Sequence, residues 1–295
     1  MHNVYASVLI VGHNGMLANA VRRALANRGV SFVGVGRDAC DVTDEAHVRA
    51  AFEGHRPTLV FNCTAATNVD GCEADPAGAD RLNGDAVRYM ATAAKASGAV
   101  LVHYSTDFVF GGDKHGAYRE TDPTGPLSAY GRSKLLGENH IREIAPPGYL
   151  ILRTAWLYGT PGKCFPRTMV ELAKKPIDPL RVVGDQRGCP TLTDDLAAAT
   201  LELIDKGQSG VFHATNSGAT TWCDFARAVM EEWGLPNRVE ALTSAQWKEV
   251  KPNSAHRPAN SVLELGKIEA ALGRKMRPWR EALADYRRQT EARGF

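Results

Sequence analysis

Little in this 295-residue chain ties it to a metal, a membrane or a nucleic acid. The six cysteines, Cys40, Cys63, Cys72, Cys164, Cys189 and Cys223, are scattered, with no Cys-x-x-Cys and no histidine pair at ligand spacing. That pattern reads as a reducing cytoplasm with no metal site built from thiolates, and Cys63, after a strand-like run, reads as a small buried hydrophobe. Long apolar runs are lacking too. Val8–Val11 is far too short for a signal peptide or a membrane span, and no later segment is long enough either. Charge of either sign is not in excess: 35 basic against 33 acidic residues leave +2, too weak to argue for nucleic acid or an acidic membrane surface. The basic stretch Arg274–Arg293 is interrupted by Glu281, Asp285 and Glu291 and reads as the solvated face of a last helix. There is no internal repeat and no low-complexity segment.

What is there is an ordinary globular composition, 44% apolar and 23% charged, on a chain long enough for one large α/β domain and a smaller lobe. Val8–Val11 suits a buried strand and leads into Gly12-His13-Asn14-Gly15-Met16-Leu17-Ala18. Leu17, Ala20, Val21, Ala24 and Leu25 then recur at helical spacing up to Gly29, a good helix stop. Strand, glycine turn and helix form the context in which phosphate sits on free N–H groups at a helix start. Gly12 allows the tight turn, Gly15 the close approach of a pyrophosphate, and Ala18 the packing of helix on strand.

Further strands are expected at Phe32–Val35, Thr58–Phe61, Val100–Tyr104, Leu150–Leu152 and Val211–Ala214. Helices are expected over Glu45–Phe52 with Thr43 as N-cap, near Asp75–Ser97, near Thr168–Lys174, over Asp194–Ile204 with Thr193 as N-cap, and over Phe225–Trp233 after Thr221. Strands alternating with helices predict an α/β fold, a doubly wound parallel sheet with a smaller C-terminal α/β lobe. The expected division is 1–158 for the sheet domain and 159–295 for the lobe, with a later segment, about 180–215, returning to the sheet. After the second strand come Arg37 and Asp38. An arginine there accommodates the phosphate of NADP(H) and is read as the preference, while Asp38 leaves NAD(H) open.

Tyr130 and Lys134 are four apart at the start of a run with helical spacing, so they share a face. A cation there is expected to lower the phenol from its usual value of about 10 towards neutrality. Such a phenol can donate a proton to a carbonyl that is accepting hydride. A Tyr-x-x-x-Lys alone is common. Thr106, at the C-terminal end of a strand, adds a hydroxyl where open parallel sheets bind ligands.

With Thr106, Tyr130 and Lys134 in order behind a glycine turn, the chain resembles extended short-chain dehydrogenases/reductases of Rossmann fold, and more narrowly dTDP-4-dehydrorhamnose reductases. The matching stretches are 12–18, 41–44, 65–70, 105–110, 130–138, 153–159, 185–191 and 257–263. The resemblance implies reduction of the 4-keto group of a nucleotide sugar, with Thr106, Tyr130 and Lys134 catalytic. It implies cofactor contacts from Gly12, Asn14, Gly15, Met16, Leu17, Arg37, Asp41, Val42, Cys63, Ala65, Ala66, Thr67, Tyr104, Tyr130 and Lys134. Thr67, Val69, Thr106, Asp107, Phe108, Tyr130 and Trp156 would meet the sugar, and Arg257 its diphosphate. Some relatives dimerise around a metal ion; the matching position, Ala20, cannot ligate one, so no metal is expected, while a homodimer stays open. Cys164 stands where a polar residue is common and bears on sugar selectivity. Two other readings fit the same motif: a non-catalytic regulatory subunit like that of methionine adenosyltransferase, and a related deoxysugar reductase or epimerase.

Overall fold

Four runs of branched and aromatic residues make the centre of the sheet, because each alternates its side chains between two buried faces. In the computed structural model, which describes residues 3–292, the first half of the chain runs β1 (Val8–Val11), α1 (Met16–Asn27), β2 (Val33–Val35), α2 (Glu45–His55), β3 (Leu59–Asn62), α3 (Val69–Ala74), α4 (Pro76–Asp80), α5 (Ala86–Ser97), β4 (Val100–Thr106), α6 (Ala129–Ile144) and β5 (Gly148–Thr154). The second half continues β6 (Leu157–Tyr158), α7 (Phe165–Ala173), β7 (Leu180–Val183), β8 (Arg187–Gly188), β9 (Thr191–Leu192), α8 (Thr193–Asp205) and β10 (Gly210–His213). It ends with β11 (Thr220–Thr221), α9 (Trp222–Glu232), β12 (Val239–Leu242), α10 (Ser244–Val250), α11 (Gly266–Leu272) and α12 (Trp279–Glu291). Arg293, the end of the basic stretch, lies outside the described residues.

Six strands pair in the order β10-β5-β4-β3-β1-β2, all parallel, with Leu9 opposite Val33, Leu59 opposite Val100 and Val211 opposite Ile151. Val8, Ile10, Phe61, Val102 and Leu152 face α1 and α8 on one side. Leu9, Val11, Val60, Leu101 and Ile151 face α2 and α5 on the other. From β1 the chain steps outward to β2, then crosses to β3 on the opposite side. That reversal opens a crevice beyond the carboxyl ends of β1 and β3.

The returning segment is narrower than expected. Leu180–Val183 pairs with Val239–Leu242, away from the main sheet, and the return begins only at Thr193 with α8 and β10. A second return was not anticipated: Ile268, Leu272 and Met276 also join the main core. The remaining distal residues pack around Tyr158, Phe225, Trp279 and Tyr286.

Two caps differ from expectation. Asp44, the residue directly before Glu45, caps α2 in place of Thr43 by accepting from Ala46 N, while Thr43 donates its hydroxyl to Asp41. Thr193 is the first residue of α8 rather than its cap; its buried Oγ1 is packed against Gly159, where a Cβ would come within 2.0 Å of it. Thr221 does cap α9, accepting from Asp224 N. The single helix expected near Asp75–Ser97 is two α-helices joined by a wide turn over Arg81–Asp85.

Candidate active site

Gly12, at φ +79°, starts the turn after β1, and a Cβ there would lie 2.7 Å from Thr64 Cγ2 and 3.1 Å from the Cys63 main chain. A side chain is therefore excluded twice, by conformation and by space. Gly15 precedes α1 with no side-chain cap and no acidic residue in the first turn. The main-chain N–H groups of Met16 and Leu17 thus have no helical partner and no competing carboxylate. Their side chains point elsewhere, Met16 to the lobe core and Leu17 to the sheet core.

A cleft of about 460 Å³ opens here, lined by Gly12, Gly36, Arg37, Cys40, Asp41, Val42, Thr43, Cys63, Thr64, Ala65, Gly78, Arg81 and Leu82. Arg37 is among its walls and Asp38 is not. Among the described residues, the exposed Arg37 guanidinium is held only by Asp41 at 3.4 Å, so it can swing towards an anion. Burial pushes the Cys63 thiol up to about 12, leaving it an apolar wall. An adjoining cleft of about 400 Å³ shares Gly78 and is lined by Ala66, Thr67, Asn68 and Cys72 among others. A helix start with free donors, a glycine cradle and an unencumbered arginine fit an elongated anionic dinucleotide. Tyr104 is turned inward. Its ring is in the core with its hydroxyl 3.3 Å from Thr200 Oγ1, so only its main chain can reach this crevice.

At the end of β4, the Thr106 hydroxyl lies beside the Tyr130 phenol, Thr106 Oγ1 donates to Asp107 Oδ1 at 2.9 Å, and the Tyr130 ring meets Phe108 edge-on at 5.9 Å. Ser128 caps α6 by accepting from Gly131 N at 3.1 Å. Gly131 and Gly137 let α6 press close: a Cβ would come within 2.3 Å of Phe108 O at the first and of Asn83 O at the second. The expected lowering of Tyr130 is not found. Desolvation, reinforced by Asp107, raises the phenol despite the nearby Thr106 hydroxyl. Lys134 does not counter this, because its Nζ is turned to His103 Nε2 at 3.3 Å. Burial lowers Lys134 to about 8, with Glu138 opposing. Burial also raises the Asp107 carboxyl to about 7.

On the far side, Trp156 adopts φ +48°, a conformation uncommon for a bulky residue, and stacks on Trp222 with ring centroids 3.6 Å apart. Gly188 makes room for it, since a Cβ there would meet the indole at 2.5 Å. Val69 begins α3, beside the exposed Thr67. Arg257 is committed in part to a protein partner: Nη2 donates to Asp70 at 2.8 Å and Nη1 to Ala255 O at 3.1 Å. Cys164 is buried in the lobe core, its Sγ 3.2 Å from Tyr286 Oη, rather than presented to a sugar.

Several supporting residues lay outside the sequence reading. Asn83 clamps Ala66 from both sides, accepting from its N at 2.9 Å and donating to its O at 3.1 Å, and also donates to Ser133 of α6 at 2.9 Å. Glu138, fully buried, receives Ser105, Arg142 and a two-pronged Arg153. Glu73 accepts from Ala129 N at 2.6 Å, at the start of the helix that carries Tyr130. Arg81, the first residue of the wide turn after α4, also lines the cleft. Glu138 follows Lys134 by one helical turn, a spacing that could have drawn attention to it; the others carry no local signal.

A parallel sheet with a glycine turn and a Thr-Tyr-Lys set at its carboxyl edge defines a protein of the short-chain reductase class. The RmlD substrate binding domain family matches residues 6–291. The dTDP-4-dehydrorhamnose reductase of Streptomyces griseus is 41% identical over 94% of this chain and 91% of its own. A probable dTDP-4,6-dihydroxy-2-methyloxan-3-one 4-ketoreductase of Streptomyces antibioticus is 41% identical over 94% of this chain and 93% of its own. The solved dTDP-4-dehydrorhamnose reductase of Bacillus anthracis, in complex with NADP, is similar at a TM-score of 0.91 and 30% identity over 96% of this chain and 99% of that one. The chain belongs to the dTDP-4-dehydrorhamnose reductase family.

Proposed function

We propose that this protein is an NADPH-dependent reductase that converts the 4-keto group of a dTDP-linked deoxysugar, dTDP-4-dehydrorhamnose, to the 4-hydroxy form. The observation that carries this reading is the Thr106 hydroxyl placed beside the Tyr130 phenol, with Lys134 one turn along α6, at the end of the strand that flanks the dinucleotide crevice. NADPH, when bound, supplies hydride to the carbonyl carbon. Tyr130, kept as a phenol by its enclosure, gives its proton to the ketone oxygen, and Thr106 hydrogen-bonds that oxygen as charge develops. Lys134 holds the nicotinamide ribose. Trp156, Thr67, Val69, Asp107 and Phe108 wall the sugar, and Arg257 offers its remaining N–H groups to the diphosphate. Arg37 selects NADPH over NADH.

In this reading residues 1–158 with 193–213 and 266–276 hold the cofactor, and the other distal residues hold the sugar nucleotide. We place the enzyme in the cytoplasm; no helix among the described residues is long and apolar enough to cross a membrane. The test is direct. Purified protein should oxidise NADPH only when a 4-keto nucleotide sugar is added, yielding the 4-hydroxy product. No oxidation with any member of a dTDP-4-keto-sugar panel would overturn the reading.

A further inference from the structure

The polar chain beneath Lys134 admits one arrangement of hydrogens. The Thr64 main-chain N–H can only donate, and it points at Asn62 Oδ1 from 3.0 Å, as the Thr64 hydroxyl does from 2.6 Å. This fixes which end of the Asn62 amide is the carbonyl. The other end, Nδ2–H, faces His103 Nδ1 at 3.1 Å, so that ring nitrogen must offer its lone pair. His103 is fully buried, and burial keeps it well below its ordinary value, so the ring is neutral and carries one N–H. That hydrogen is therefore on Nε2, 3.3 Å from Lys134 Nζ. Facing an ammonium, it would set donor against donor. Facing an amine lone pair, it makes a hydrogen bond.

We propose that His103 donates its Nε2–H to Lys134 and so holds Lys134 as a neutral amine in the free protein. His103 is then a positioning residue, acting on the site through Lys134. The surroundings are consistent with an uncharged amine. Lys134 is 2% exposed. Of the ionisable groups around it, Tyr130 one turn before is a neutral phenol, and Glu138 one turn after has its oxygens engaged by Ser105, Arg142 and Arg153. Burial already brings Lys134 down to about 8, and the opposed N–H lowers it further. The consequence rests on the reductase reading: the lysine gains its charge when ribose hydroxyls arrive to accept the hydrogen bonds that this imidazole cannot.

The test uses the free, full-length protein labelled with ¹⁵N-lysine, with the Lys134 Nζ resonance assigned by its loss in Lys134→Met. Its titration should have a midpoint below pH 7, and in His103→Gln, whose side-chain carbonyl can accept from an ammonium, the midpoint should rise by about one unit or more, a tenfold change in proton affinity. A wild-type midpoint at or above 7 overturns the proposal without any variant. An unchanged midpoint in a folded His103→Gln overturns the role of His103. Neither readout needs substrate, so failure here is distinct from failure of the reductase assignment.

Discussion

Tyr130 and Lys134 share one face of α6 but not one set of neighbours: the phenol lies beside Thr106, which donates to Asp107, and the amine joins His103 and Asn62. The division gives the tyrosine the protonated state a donor needs. Tyr130→Phe keeps the ring against Phe108 and removes only the proton, so kcat should fall about 10²–10⁴-fold while NADPH still raises the thermal midpoint. Loss of the thermal shift would instead indicate a binding role. Glu138 poses the opposite problem, a buried charge whose partners must all be present. Burial alone would raise its carboxyl, but Arg153, Ser105 and Arg142 hold it below the ordinary value. A group depressed on folding contributes stability above its unfolded value of about 4.3, and that contribution is lost as pH falls through the folded value. Glu138→Gln leaves Arg153, 2% exposed, as an unpaired buried cation, a change of about 3–5 kcal/mol in urea unfolding at neutral pH. The gap between wild type and variant should narrow on acidification below about pH 4; a constant gap would contradict the charge-pair account.

At the scale of elements, α3 joins the two sides of the site. Its Asp70 receives Lys251, Arg257 and the Ala255 N–H from the lobe, and its Glu73 receives the first N–H of α6. Burial would raise Asp70, but Lys251, Ala255 and Arg257 together hold it down to about 2. The Lys251 and Arg257 pairs are partly exposed and so contribute little to global stability. Asp70→Asn should therefore unfold much like wild type yet raise KM for the nucleotide sugar about fivefold, roughly 1 kcal/mol, with kcat little changed. A fall in kcat at constant KM would refute this role. Such a strut was not legible in the sequence, for Asp70 and Arg257 are 187 residues apart. The strands were legible, since Val8–Val11 and Leu59–Asn62 are apolar runs between turn residues. Caps were legible only to within a residue: Thr221 caps while also donating to Asp224, whereas Asp44 takes the cap position beside Thr43 and Thr193 falls inside α8, packed on Gly159. His103 and Arg153 looked like strand residues, because what makes them functional lies on α6.

The whole molecule is closed by its distal half. After the lobe begins, α8 and β10 complete one edge and face of the sheet, α11 follows them, and Arg277 ties Asp195 of α8 to Asp285 of α12. Because the cofactor crevice lies between strands of a sheet finished this way, occupancy of the crevice should stabilise the fold as one unit. Ligand at a hundred times its dissociation constant adds about 2.7 kcal/mol, which for a chain of this size is roughly 5 °C in the thermal midpoint. Arg37 supplies a cleft-facing cation with only an exposed 3.4 Å contact to Asp41 to give up, so the 2′-phosphate of NADPH should be favoured. At equal concentration NADPH should therefore shift the midpoint more than NADH. In Arg37→Ala the two shifts should converge, chiefly by loss of the NADPH increment, with the NADH shift preserved because the Gly12–Leu17 turn is untouched. A variant that kept the full NADPH advantage would move the phosphate to another cation in the same wall, Arg81.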